Sequence, residues 1–393
     1  MNIKQIAFID CLYTVSRIFL DVFLLAYLFT VTKQNIFDIG IYYFASTSIM
    51  LFTAVFIRNY LSKGYFLQIY RAGIFCNLIF FVFLLYMNKE VSQHMFLCGI
   101  LLGLSIFLRG IARIFLTYQF VSESIMIKFR GYLEFVKALL KVVTPFIFGI
   151  VLYKYSNFKN VLVILFIMLF MEYFFTFSIT QFKINKKAKT QLLYFFKNIL
   201  NNKLIVKSLL MDFFRGMTIL GVLPVVVTIY IVCLFETNFH LGVLTSVFSL
   251  ITLSVNFLFG KYCRYVHFVS ILKFSGIISV LLSFLFVLIP NNITFILYNL
   301  GLVTAMQLLW LLTEVNMFNI ASLDEIKNKF QTEYFITREI FSGFGKILGM
   351  SVLIIIGYFK YFILLKYYLL LLTIAVLIMV FYAVKVNGTL FQK

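Results

Sequence analysis

The stretch QFKINKKAKTQLLYFFKNILNNKLIVK, residues 181–207, interrupts an otherwise continuous succession of apolar segments. It lies near the middle of a chain of 393 residues. Its seven lysines are Lys183, Lys186, Lys187, Lys189, Lys197, Lys203 and Lys207. Basic loops of membrane proteins stay on the cytoplasmic side of the bilayer. The stretch therefore predicts a cytoplasmic linker that joins two comparable halves.

The composition excludes a water-soluble protein. The mean hydropathy is +1.03, with 63% hydrophobic and 12% charged residues, whereas soluble domains carry roughly 25% charged residues. The net charge of +20 comes mostly from short connections between apolar runs, where basic residues are expected on the cytoplasmic side. The sequence thus indicates an integral membrane protein and gives no reason to expect nucleic-acid binding.

A spanning helix needs about 20 mainly apolar residues, and the chain contains twelve such segments. They are predicted at 6–32, 38–57, 66–87, 93–118, 131–153, 159–180, 206–234, 239–259, 267–289, 293–318, 334–357 and 361–385. The predicted fold is all-α, with about 12 transmembrane helices in two pseudo-symmetric six-helix bundles. The domains are a bundle at 1–180, a basic cytoplasmic linker at 181–205 and a second bundle at 206–393.

The basic residues between the spans also predict the orientation. Alternate loops and both ends collect 20 lysines and arginines on one side and six on the other. Because the richer side is cytoplasmic, both termini are expected in the cytoplasm. An excess of phenylalanine, isoleucine, lysine and asparagine is typical of AT-rich bacterial genomes, so the expected location is a bacterial cytoplasmic membrane.

The two halves show traces of an internal repeat. Shifting the second half back by about 202 positions places Asp10 on Asp212 and Gly99 on Gly301. With three extra residues allowed in the loop near 322–333, Glu134 falls on Glu339. The order and near-constant offset of these matches favour two parallel structural repeats.

This architecture resembles the major facilitator superfamily. The features that carry the resemblance are the two six-helix halves, the basic linker, and the short basic loops after the second and eighth spans. The first loop, RNYLSKGYFLQIYR at 58–71, keeps basic residues and a glycine of the family's G-x-x-x-D-R-x-G-R-R pattern but lacks its aspartate. Arg109 occupies a place similar to a fourth-helix arginine of family exporters, and TPFIFG at 144–149 keeps the proline of an antiporter signature.

The resemblance implies a secondary active transporter that works by alternating access around a cavity near the membrane midplane. By analogy it implies proton-coupled export of a small amphipathic solute, such as a drug or peptide, by a monomer in contact with membrane lipids. No nucleotide-binding motif, catalytic triad or metal cluster appears in the sequence, so we expect no enzymatic activity, no cofactor and no metal site.

Charged residues inside the spans are the candidate functional groups. A charge near the centre of a spanning helix costs about 2.5–3.5 kcal/mol, so such residues should face a partner or water. The cations are Arg17, Arg109, Arg113, Lys137, Lys141, Arg215, Arg338 and Lys346, and the acids are Asp10, Asp21, Glu134, Glu172, Asp212, Glu314 and Glu339.

Local spacing predicts two ion pairs, Arg17 with Asp21 and Asp212 with Arg215. Arg109 and Arg113 share one helix face and need an acid from elsewhere, for which Glu134 and Asp21 are the candidates. Asp10, Asp212 and Arg338 lie nearer the cytoplasmic surface, and we interpret them as snorkelling or capping residues. The predicted substrate and proton pathway comprises Arg17, Asp21, Arg109, Arg113, Glu134, Lys141, Trp310, Glu314 and Lys346.

Other interpretations of the sequence remain open. The pathway charges could instead be structural ion pairs that fix helix packing. A flippase for lipid-linked saccharides would also have about twelve helices and paired halves, and its cationic cavity would bind a pyrophosphate headgroup. A membrane assembly partner without transport activity is a third possibility. If the protein is proton-coupled, the carboxylates of Asp21 and Glu134, followed by Glu314, are the expected proton carriers.

Overall fold

The structure is a computed structural model. It describes residues 3–120, 123–155, 158–179, 192–199, 202–235, 238–262, 265–321, 323, 326 and 330–391. Within these ranges all regular structure is helical, and twelve helices are long and apolar enough to cross a membrane. The membrane-spanning part of each helix lies within five residues of its predicted span at either end. The prediction of an all-α membrane protein with about 12 spanning helices is confirmed.

The helices before the linker form the first six spans. The first span consists of α1 (Ile3–Ile18), a π-helical stretch (Phe19–Leu24) and α2 (Leu25–Val31). The next five spans are α3 (Ile36–Ser62), α4 (Phe66–Met87), α5 (Met95–Phe120), α6 (Glu123–Tyr155) and α7 (Phe158–Phe175). Short 3₁₀ helices follow α4 at Asn88–His94 and α7 at Thr176–Ser178.

The helices after the linker repeat this plan. A short α8 (Leu192–Ile199) precedes the seventh span, which consists of α9 (Lys203–Met217), a π-helical stretch (Thr218–Val222) and α10 (Leu223–Phe235). The remaining spans are α11 (Asn238–Tyr262), α12 (Tyr265–Leu288), α13 (Asn292–Ala321), α14 (Gln331–Tyr358) and α15 (Leu364–Phe391).

The chain folds into two compact units. The first contains Met1–Ala188 and Thr228–Leu250, and the second contains Lys189–Val227 and Ile251–Lys393. The domain limits at 180 and 206 stay a prediction, because most of the linker at 181–205 lies outside the described residues.

Small residues let helices of each unit approach to backbone contact. In the first unit, a Cβ added to Gly99 of α5 would overlap the carbonyl oxygen of Tyr42 on α3. In the second unit, a Cβ on Gly345 of α14 would overlap the carbonyl oxygen of Phe213 on α9. Close packing of this kind associates helices in lipid, where there is no hydrophobic driving force between them.

The first and seventh spans are both interrupted by π-helix at similar positions. A shift of 202 residues brings Phe19 onto Gly221, which lies in the second π-helical stretch and has the non-helical torsions φ −121° and ψ −108°. A Cβ on Gly221 would lie 3.2 Å from Cγ of Lys346, so the stem of that lysine packs over the distortion. The shared interruption is structural support for the internal repeat.

The contact between α9 and α14 predicts a stability effect. The variant Gly345→Ala should be destabilised by about 1–3 kcal/mol, because its new methyl group meets backbone that cannot move aside. The thermal unfolding midpoint of the purified protein in detergent measures this. The matched control is Gly388→Ala, where no atom lies within 4 Å of the added methyl. Equal midpoints for the two variants would contradict the contact.

Candidate functional site

A fully buried ion pair lies at the centre of the first unit. Nη2 of Arg109, on α5, lies 2.8 Å from Oε1 and 2.7 Å from Oε2 of Glu172, on α7. Both side chains are 1% exposed. The hydroxyl of Tyr70, on α4, donates to Oε1 of the same carboxylate at 2.5 Å. Charge-assisted hydrogen bonds of this kind are the strongest that proteins make.

Aromatic and small residues shape the space around Arg109. Its guanidinium carbon lies 4.6 Å from the ring centroid of Tyr13 on α1, a distance at which a cation is attracted to the ring face. Its Nη2 lies 3.4 Å from the hydroxyl of Ser16. A Cβ on Gly73 of α4 would lie 2.7 Å from Cγ of Arg109. The absence of a side chain at Gly73 therefore leaves the room that the arginine occupies.

Asp10, on α1, binds two further cations. Its Oδ1 accepts a short hydrogen bond from Nη1 of Arg113, and its Oδ2 lies 2.7 Å from Nζ of Lys137 on α6. The guanidinium carbon of Arg113 also lies 4.6 Å from the centroid of Tyr13. Asp10 on α1 and Glu172 on α7 thus neutralise cations of α5 and α6.

The second unit contains a comparable group around Asp212 of α9. Arg338 of α14 donates to both of its carboxylate oxygens, from Nε at 2.6 Å and from Nη2 at 2.8 Å. Nε of Arg215 lies 3.3 Å from Oδ1. The ring centroid of Tyr334 lies 5.8 Å from the guanidinium carbon of Arg338. The ring centroid of Trp310 lies 5.7 Å from the guanidinium carbon of Arg215.

The interpretation of Asp10, Asp212 and Arg338 as snorkelling or capping residues is wrong. Their exposed fractions are 3%, 0% and 3%, and each is held in an ion pair between helices. Helix rise alone placed them near a surface, but the facing helices bring cations and acids that cover them. Burial was therefore decided by tertiary packing rather than by position along the span.

Both locally predicted ion pairs are present. Nε of Arg17 lies 2.8 Å from Oδ2 of Asp21, and the two side chains are 32% and 46% exposed. Arg215 and Asp212 form the other pair. The acids that bind Arg109 and Arg113 are Glu172 and Asp10, while Asp21 is directed along its own helix to Arg17.

The remaining predicted pathway residues differ in how exposed their side chains are. Lys141 is exposed, Lys346 and Trp310 are half-buried, and the side chains of Glu134 and Glu314 lie outside what the structure describes. The selection of all nine pathway residues stays a prediction. The predicted pathway did not include Tyr13, Tyr70 or Glu172, although Glu172 was among the charged candidates within the spans. A lone acid in the apolar run of α7 was the available signal for Glu172, because such a charge needs a partner.

Among the residues whose side chains the structure describes, no group of three or more histidines, cysteines, aspartates and glutamates could hold a metal ion. The carboxylates described above are instead paired with cations. Asp10, Glu172 and Asp212 are buried carboxylates with fixed cationic partners. Asp21 is the accessible carboxylate of an exposed pair.

Comparison with known proteins gives a fold. No family model matches the sequence, and no curated protein matches it. The nucleoside transporter NupG superposes with a TM-score of 0.67 at 13% identity, over 98% of this chain and 99% of that chain. A bacterial homologue of the iron transporter ferroportin, in an inward-facing state, gives 0.63 at 14% identity over 98% of each chain. The E. coli fucose:proton symporter FucP, as a variant, gives 0.61 at 12% identity over 97% and 98%.

The chain has the major facilitator fold. The fold resemblance seen in the sequence is thereby confirmed, and the chain is a multi-pass membrane protein. In this fold, the pairs Arg109–Glu172, Lys137–Asp10 and Arg338–Asp212 join different spans within each unit.

The buried pair of Arg109 and Glu172 predicts a large effect of charge removal. The variant Glu172→Gln should lose about 3–5 kcal/mol of stability, because it leaves Arg109 charged and buried without its counter-ion. Asp21→Asn, at the exposed pair, should lose about 0–1 kcal/mol. Thermal unfolding in detergent compares the two variants.

A double-mutant cycle separates the pair from other causes. Arg109→Met combined with Glu172→Gln should be less destabilised than the sum of the two single variants. Additive losses would mean that the two side chains do not stabilise each other.

Proposed function

We propose that the protein is a secondary active transporter of the major facilitator type. It moves a small amphipathic solute across the membrane by alternating access, coupled to protons. The fold supports this, since the solved structures that it resembles along nearly their whole length are named as nucleoside, iron and fucose:proton transporters. The low identity leaves the solute to be argued from the residues of this chain.

The exposed Arg17–Asp21 pair is the observation that carries the proposal. The first span runs from Ile3 to Val31, so a rise of 1.5 Å per residue puts Arg17 roughly 20 Å from either end. Side chains that are 32% and 46% exposed at this depth would be costly in lipid. We infer that they face a water-accessible path along which a solute moves.

Asp21 is the proposed proton carrier. Protonation removes its charge and releases the guanidinium of Arg17, so the proton and the charge state of the pair are linked. Glu172 and Asp212 suit this role less, because their paired cations are buried with them. Asp10 suits it less because its carboxylate is itself buried and bound by two cations, Arg113 and Lys137. Glu134 and Glu314 remain candidates on the sequence alone. Export, rather than uptake, rests on the family resemblance.

The test is transport in proteoliposomes under an imposed pH gradient. We expect gradient-driven movement of at least one member of a panel of amphipathic drugs, short peptides and sugars. Asp21→Asn and Glu134→Gln should abolish movement driven by the pH gradient while retaining exchange of labelled for unlabelled solute, because exchange needs no net proton movement. The matched control is Asp38→Asn, which removes an acid in the first turn of α3 and should transport as the wild type does.

Gradient-driven transport that persists in Asp21→Asn would contradict the proposed proton carrier. No movement of any panel member would contradict solute transport and favour the lipid-linked saccharide flippase, which a fluorescent-lipid scrambling assay would then test. If neither the panel solutes nor the fluorescent lipid move, the assembly partner without transport activity is favoured.

A further inference from the structure

Tyr42, on α3, is a buried polar side chain without a hydrogen-bond partner. It is 1% exposed, and its hydroxyl makes no hydrogen bond to any residue that the structure describes. The backbone at this position is fixed, because the Tyr42 carbonyl packs against Gly99 of α5. Its ring lies 4.8 Å from the ring of Tyr43, edge to face. A buried hydroxyl held in place without a partner is unfavourable unless a bound molecule completes it.

Arg17 offers a second incomplete donor in the same region. Its Nε donates to Asp21, but its Nη1 is buried and makes no hydrogen bond within the described part of the chain. The Tyr42 hydroxyl lies within electrostatic range of Tyr43, Cys98, Arg17 and Asp21, so Tyr42 lies in the same part of the first unit as the Arg17–Asp21 pair. The π-helical stretch Phe19–Leu24 contains Asp21 and lies directly after the turn that contains Arg17.

These groups differ in what they can bind. The guanidinium nitrogen and the phenol donate hydrogen bonds, and together they suit the two oxygens of a carboxylate. Asp21 accepts hydrogen bonds, and its side chain is the more exposed member of the pair at 46%. A single anion would be repelled by Asp21, and a single cation by Arg17. A molecule that carries both charges satisfies both.

We propose that Arg17, Tyr42 and Asp21 form a binding site for a zwitterionic solute, such as an amino acid or short peptide. Its carboxylate is bound by Nη1 of Arg17 and the Tyr42 hydroxyl, and its ammonium group faces Asp21. The proposal rests on the proposed transport function and names the substrate class of that path. Tyr42 is the specificity-determining residue, since its hydroxyl has no other hydrogen-bonding role in the structure.

Three matched probes test the charge requirement: the dipeptide phenylalanyl-alanine, its N-acetyl derivative and its C-terminal amide. Equilibrium binding to the purified wild-type protein in detergent should be at least tenfold tighter for the unmodified dipeptide than for either blocked form, because each blocked form leaves one charged group of the site unmatched. Equal binding of all three, or binding of none, would overturn the zwitterion site.

Two variants assign the two ends of the probe. Tyr42→Phe should weaken binding of the dipeptide and of its N-acetyl form about tenfold, and leave the amide unchanged. Asp21→Asn should weaken binding of the dipeptide and the amide, and should not weaken the anionic N-acetyl form, which Asp21 repels. Tyr60→Phe is the matched control, since Tyr60 lies on the same helix and is 58% exposed. Any other pattern of losses would contradict the assignment.

Stability gives an independent readout for Tyr42. Because its hydroxyl is unpartnered, Tyr42→Phe should unfold at the wild-type temperature or above it without the dipeptide, and should gain less stabilisation when the dipeptide is added. A variant that is destabilised without ligand would show that the hydroxyl is bonded within the protein.

The binding assays also separate this site from the proposed function. Dipeptide binding that depends on Tyr42, without transport, would support the site and contradict the transporter. Transport of panel solutes that is indifferent to Tyr42→Phe would support the transporter and contradict the site.

Discussion

The guanidinium of Arg109 cannot leave the apolar interior, and the packing of the first unit depends on how it is neutralised. Three helices contribute to this: α7 supplies the Glu172 carboxylate, α4 supplies Tyr70 and the space above Gly73, and α1 supplies Tyr13 and Ser16. In lipid an uncompensated charge has no alternative solvent. The positions of these helices are therefore tied to one another through a single side chain.

The second unit meets the same constraint around Asp212. In both units an aspartate near the start of the first helix, Asp10 or Asp212, binds a cation from the fifth helix, which is Lys137 of α6 or Arg338 of α14. Both aspartates bind a second cation as well. A π-helical stretch follows each aspartate. The matched positions of the two aspartates, each bound by a cation of the fifth span of its half, favour two copies of one structural plan, as the offset of about 202 residues indicates.

Sequence reasoning was sufficient for features that depend on neighbouring residues. The spans follow from continuous apolar runs, and the Arg17–Asp21 and Asp212–Arg215 pairs follow from helix geometry. It was insufficient for pairs that join distant helices. Arg109 and Glu172 are 63 residues apart, and Arg338 and Asp212 are 126 apart. Which acid meets which arginine depends on helix neighbours and rotation. Tyr42 and Tyr70 could not be distinguished among 24 tyrosines.

The buried pair of Arg109 and Glu172 also constrains how the chain is made. The fourth span enters the membrane before the sixth has been synthesised, so Arg109 arrives without its counter-ion. The apolar remainder of α5 can offset the insertion cost of one arginine, about 2.5–3.5 kcal/mol. The helices of the first unit can pack around a neutralised Arg109 only after α7, which contains Glu172, has been inserted. The Arg109–Glu172 pair can therefore form only once the sixth span is in the membrane, after most of the first unit has been synthesised.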